Sequence, residues 1–94
     1  MIYTTDNNEH GLAHDPFKAL VSPRPIGWIS TTSHDGVDNL APYSFFQAVS
    51  DNPKLVMFSS AGLNDSALIA RDTGEFVCNV VGHEQLIAMY LSSA

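Results

Sequence analysis

Between residues 26 and 60 the chain is cut into short β-prone runs by turns only a few residues long. Such short connections can join antiparallel neighbours but not parallel ones, so this spacing constrains the fold more than any other feature. Ile26-Gly27-Trp28-Ile29-Ser30-Thr31-Thr32 is rich in β-branched and aromatic residues and predicts a strand. Ser33-His34-Asp35-Gly36 is a turn, because the glycine of Asp-Gly accepts positive φ. Val37 to Ala41 is the returning strand, and Pro42 to Val49, interrupted by Pro42, reads as strand end or loop. Asp51-Asn52-Pro53 marks a second turn, and Lys54 to Ser60 a third strand.

The flanks add short helices. Residues 1–14 are polar and predict an irregular lead-in, distinct from a domain over 15–94. Asp15 caps, and Pro16 opens, a helix through Leu20 that ends before Ser22-Pro23-Arg24-Pro25, since residues preceding proline avoid the α region. Asn64 or Asp65 caps a helix over Ser66 to Asp72, stopped by Gly74. Glu75 to Val81 predicts a fourth strand, and Glu84 to Leu91 a last helix. The expected class is mainly β with short helices, an antiparallel sheet curling toward a barrel. About four strands rarely close one, so a partial barrel with free edges is expected.

Composition excludes several function classes. The net charge is −6, and Lys18, Arg24, Lys54 and Arg71 are scattered. Replacing counterions along a nucleic acid, or docking on an anionic membrane, needs clustered cations, so neither partner is expected. No apolar run is long enough to span a bilayer, and the start lacks a signal-peptide pattern. The single cysteine, Cys78, fits a reducing cytoplasm; its apolar surroundings predict a buried small hydrophobe rather than a nucleophile. His10 and His14 have helical ligand spacing, but Gly11 and Pro16 oppose a helix there, so no metal site is expected. Ser33-His34-Asp35 cannot form a triad from adjacent positions, and the glycine-rich nucleotide motifs are absent.

Two polar clusters remain. Ser30-Thr31-Thr32, at a strand end, offers three hydroxyls, more simply read as a solvent-facing strand end. Ser59-Ser60 precedes a helix start near Asn64-Asp65-Ser66; ordinary capping and an anion pocket are both open there.

Three segments in register carry a resemblance. Ser22-Pro23-Arg24-Pro25-Ile26-Gly27-Trp28-Ile29-Ser30-Thr31 resembles the Pro-Arg-Pro-x-x-x-x-Ser-Thr strand of flavin reductase-like proteins. Gly36 to Phe46 resembles the segment after that family's hairpin. Asn64-Asp65-Ser66 and Thr73-Gly74-Glu75-Phe76-Val77-Cys78-Asn79 resemble its Lys-Asp-Thr helix start and Thr-Gly-Glu-Phe-Val-x-Asn strand. The resemblance implies an FMN-binding split β-barrel, a homodimer, and reduction of flavin by NAD(P)H. It maps the isoalloxazine cradle to Ser30, Thr31, Thr32, Asn39, Ala41, Pro42, Tyr43, Ser44 and Phe45, and the phosphate contacts to Ser59, Ser60, Asn64 and Ser66.

The chain departs from the family pattern in three ways. Asn64 stands where the family has lysine, and Leu68 and Ile69 where it often has arginine and asparagine. Arg24 is the candidate to compensate. Family domains also continue through further strands, so residues 15–94 are expected to be an N-terminal portion, apparently truncated. The expected function is an FMN-dependent oxidoreductase of the flavin reductase type. The competing readings are a flavin-binding module without turnover and an inactive, self-associating remnant. No catalytic side chain stands out, which fits chemistry carried by the cofactor. Trp28 and Phe45 are expected to pack in the core or an interface rather than stack on a ring.

Overall fold

A computed structural model of the chain describes residues 2–93. The elements are α1 (Phe17–Leu20), β1 (Gly27–Thr32), β2 (Asp38–Tyr43), β3 (Phe46–Asp51), β4 (Lys54–Phe58), α2 (Asp65–Thr73), β5 (Val77–Asn79), a 3-10 turn over His83–Gln85 and α3 (Leu86–Leu91). They form two antiparallel sheets, one ordered β2-β1-β5 and the other the hairpin β3-β4. This is a partial split barrel: mainly antiparallel β with short helices and no closure among the described residues.

The hairpin β1-β2 turns where the sequence predicts. Gly36 takes φ 83°, and Ser33 N closes the turn by donating to Val37 O at 2.9 Å. Pro42 does not break β2, because β2 is an edge strand with Trp28 opposite. Proline is tolerated where no ladder N–H is needed. The stretch read as strand end or loop is therefore resolved into the end of β2 and most of β3, with only Ser44 and Phe45 between them. The fourth strand is shorter than its apolar run, spanning Val77–Asn79, and the last helix begins with a 3-10 turn. At α1, the Asp15 carboxylate accepts from Phe17 N at 3.0 Å while Pro16 is the flanking residue, one position later than predicted.

Helix α2 follows its sequence signals. Asn64 Oδ1 accepts from Ala67 N at 3.1 Å, and Gly74 at φ 77° donates back to Ala70 O. Its first turn is tied to the sheet, with Asn39 Nδ2 donating to Ser66 Oγ at 2.5 Å. The core is small. Ile29 is fully buried, Trp28 and Tyr43 are nearly so, and the rings of Tyr43, Phe58 and Phe76 follow one another at 4.8 and 4.9 Å. Gly27 lets the Phe46 ring approach β1; a Cβ there would overlap it. This aromatic contact joins the two sheets.

One expectation is corrected. Cys78 is exposed, because β5 is the other edge of its sheet and nothing covers it there. Of the two aromatics expected in the core or an interface, Trp28 packs in the core, while Phe45 is 40% exposed in the single chain. The radius of gyration, 16.1 Å, exceeds the roughly 13 Å of a compact domain of this length. Burial is concentrated in one sheet, and the rest extends from it.

Candidate functional site

Strand alternation sets Trp28, Ser30 and Thr32 on one face of β1, and Ile29 and Thr31 on the other. Register puts Leu40 opposite Ser30 and Asp38 opposite Thr32 on β2, and Asn79 opposite Trp28 on β5. An open cleft of about 590 Å³ lies along these strands, bordered by Ser30, Thr31, Thr32, Asn39 and Asn79 among others. Thr32 Oγ1 donates to Asp38 Oδ1 at 2.8 Å. Asn79 Nδ2 donates to Trp28 O at 2.9 Å and to Ser30 Oγ at 3.1 Å. The three hydroxyls read as one cluster thus differ. Thr32 is committed to Asp38, and Ser30 accepts from Asn79. Thr31, buried on the opposite face, leaves Oγ1 without a partner.

A second cleft of about 280 Å³ is lined by Asn39, Ala41, Tyr43, Asn64, Ser66 and Ser92, among others. Asn39 and Leu40 border both clefts, so β2 is their shared wall. The start of α2 reaches the second cleft, bringing unpaired helix N–H groups and the acidic Asp65. The Tyr43 hydroxyl is buried without a partner. Ser66 is buried and engaged by Asn39, so its hydroxyl fastens α2 before it can serve anything else.

The remaining sequence candidates lie apart from the clefts. Arg24 Nη1 donates to Ser44 Oγ at 3.1 Å, and its guanidinium lies 5.2 Å from the Phe45 ring centre. These three and Pro42 line neither cleft. Ser59 N donates to Phe45 O at 2.8 Å, and the Ser60 hydroxyl donates to Gly62 O at 2.5 Å, a loop-stabilising role. Ser59 and Ser60 likewise border neither cleft. Arg71 sits in the last turn of α2, away from the Asn64 end, 3.7 Å from Asp72.

Sequence reasoning passed over Asn79, Asp38, Gln85 and Ser92 as site residues. Asn79 ends the Thr-Gly-Glu-Phe-Val-x-Asn match, a signal that was present. Ser92 had none, since its role comes from accepting Trp28 Nε1 at 2.9 Å across 64 positions of chain. Although Cys78 is exposed, slight desolvation by its neighbours pushes its thiol above the ordinary value. Among the described residues no three His, Cys, Asp or Glu side chains gather as a metal would require, and no helix is long and apolar enough to cross a membrane.

The donor set suits a neutral, polar-rimmed planar ligand better than a strongly anionic one. Hydroxyls, amides and helix N–H groups are present, while neither cleft is lined by Lys or Arg. The buried, unpartnered Tyr43 hydroxyl at the second cleft is a polar atom a ligand group could satisfy.

Relatives place this geometry. An uncharacterised protein of Aquifex aeolicus is 45% identical over 78 residues, covering 78% of this chain and 40% of the relative. One from Methanothermobacter thermautotrophicus is 44% identical over 64 residues, covering 68% and 30%. YwrF of Bacillus subtilis, also uncharacterised, is 40% identical over 75 residues, covering 72% and 37%. The chain therefore spans well under half the length of these relatives. The crystal structure of nitrilotriacetate monooxygenase component B from Bacillus cereus superposes with a TM-score of 0.76 at 27% identity, covering 98% of this chain and 48% of the other. The flavin reductase like domain matches residues 20–94, which include every strand of both sheets, and the chain belongs to that family.

Proposed function

We propose that this chain forms the N-terminal, flavin-facing part of an FMN-dependent oxidoreductase. The ring would lie along the larger cleft, and the phosphate side would point toward the start of α2. The observation that carries this reading is the convergence of Ser30, Thr32 and Asn79 on one cleft, in a chain whose family match spans that whole region. At about 590 Å³ the cleft is of ordinary size for a cofactor site.

Bound flavin would supply hydride and electron transfer, with NAD(P)H as the donor. The chain's residues bind and orient. The Ser30 hydroxyl and the rim of β1 and β2 offer neutral hydrogen bonds to a heterocycle. The free N–H groups at the start of α2 favour negative charge at the phosphate. Asn64 in place of lysine leaves that end without a cationic side chain, and Arg24 is held at Ser44 and Phe45. Two missing charge-assisted contacts of roughly 1.5 kcal/mol each would weaken binding by about two orders of magnitude. Weak, micromolar binding is therefore part of the reading. Homodimer formation is proposed on the apolar side chains left exposed on β4 and α3. A cytoplasmic setting is proposed on the single free cysteine.

Trp28 borders the cleft and is the sole tryptophan, so FMN titrated against its emission reports occupancy. Saturable quenching in the micromolar range supports the reading. Absence of quenching at millimolar FMN removes it, and submicromolar affinity removes the account of the phosphate end. Added NADH then separates an oxidoreductase, which consumes it, from a carrier, which does not.

A further inference from the structure

We infer that Asn79 is a positioning residue that fixes the direction of the Ser30 hydroxyl, making Ser30 a hydrogen-bond donor to an acceptor atom of the bound ring. This rests on the proposed flavin reading of the larger cleft. The argument begins with Trp28. Its main-chain carbonyl can only accept, so the group 2.9 Å from it must be the amide nitrogen of Asn79. That settles which way the Asn79 amide is turned. The same nitrogen lies 3.1 Å from Ser30 Oγ. Its two protons are then both assigned, one to the carbonyl and one to the hydroxyl oxygen.

A hydroxyl that accepts from a donor with no acceptor capacity must send its own proton elsewhere. Among the described residues Ser30 Oγ donates to nothing. It lies on the β1 face shared with Trp28 and Thr32, along the cleft. The free proton is therefore available to the cleft, and the chemistry that takes it is a carbonyl oxygen or an unprotonated ring nitrogen. Thr32 cannot play this part, since its proton goes to Asp38, and Thr31 lies on the other face. Asn79 reaches Ser30 across 49 positions of chain, from the strand that pairs with β1 on the side opposite β2. One residue thus ties the edge strand in place and sets the polarity of the site.

Replacing Asn79 tests this directly. In N79D a carboxylate faces Ser30 and can only accept, so the Ser30 proton is drawn away from the cleft. FMN affinity, read from Trp28 quenching, should fall about tenfold in N79D and by a similar factor in S30A. The double variant should bind no worse than S30A alone, and because the two side chains share a hydrogen bond its thermal midpoint should fall by less than the sum of the two single losses. An N79D effect on affinity that persists in full on the S30A background would overturn the inference. Side-chain amide exchange in the ligand-free parent decides the same point without flavin and without N79D folding. Two slowly exchanging Asn79 amide protons, one of them released by S30A, support the positioning role. Two freely exchanging protons in the parent refute it. Failure of the parent to bind FMN, with the amide protons protected, would instead remove the flavin reading and leave the hydrogen-bond arrangement standing.

Discussion

The strands of the sheet β2-β1-β5 are less apolar in sequence than those of the hairpin β3-β4, yet it is the sheet that is buried. In the first, Ile29 is buried completely, α2 is fastened through Asn39 and Ser66, and Asn79 ties β5 to β1. In the second, Leu55, Val56 and Met57 are consecutive on β4 and all exposed, so both faces of that strand are uncovered. A strand apolar on both faces is the pattern of an interior strand. Helix α3 resembles the hairpin, for it buries none of its side chains and is tied to the sheet by the bond from Trp28 to Ser92. Hydrophobicity alone therefore does not say which segment supports the fold. Polar cross-links and a covering layer do.

Trp28→Ala should break the comparison most severely. It empties a nearly buried site in the first sheet and releases Ser92, and should cost about 3–5 kcal/mol in chemical denaturation. A loss under 1 kcal/mol would mean the first sheet is no more self-sufficient than the second. Gly27→Ala strikes the contact between the two. The new methyl overlaps the Phe46 ring, for an expected cost of about 1–3 kcal/mol, partly restored by Phe46→Leu. No restoration would place the strain in the β1 backbone instead. Asn64→Ala removes the cap of α2, worth about 1 kcal/mol, and should lower the melting temperature without changing the sheet. Leu55→Lys should be nearly silent in stability, within about 0.5 kcal/mol, while reducing self-association in sedimentation. A large stability loss there would show that β4 is covered in the free chain.

Much of this was legible in the residues because it depends on local physics. The Asp35-Gly36 turn, the Asn64 cap and the Gly74 stop are set by backbone preferences that act over a few positions. The spacing of the runs was enough to make the sheets antiparallel, and three motifs in register were enough to name the family. Tertiary structure decided what distance in sequence conceals. It put Pro42 on an edge where proline is harmless, and left Cys78 on the other edge, open to solvent. It divided Ser30, Thr31 and Thr32 between two faces, because successive strand residues point opposite ways. It drew Arg24 to Ser44 and Phe45 and spent Ser60 on its own loop. It also joined Asn79 to Ser30 and Ser92 to Trp28, pairs no local pattern could reveal, since a hydrogen bond forms where the fold brings donor and acceptor within about 3 Å.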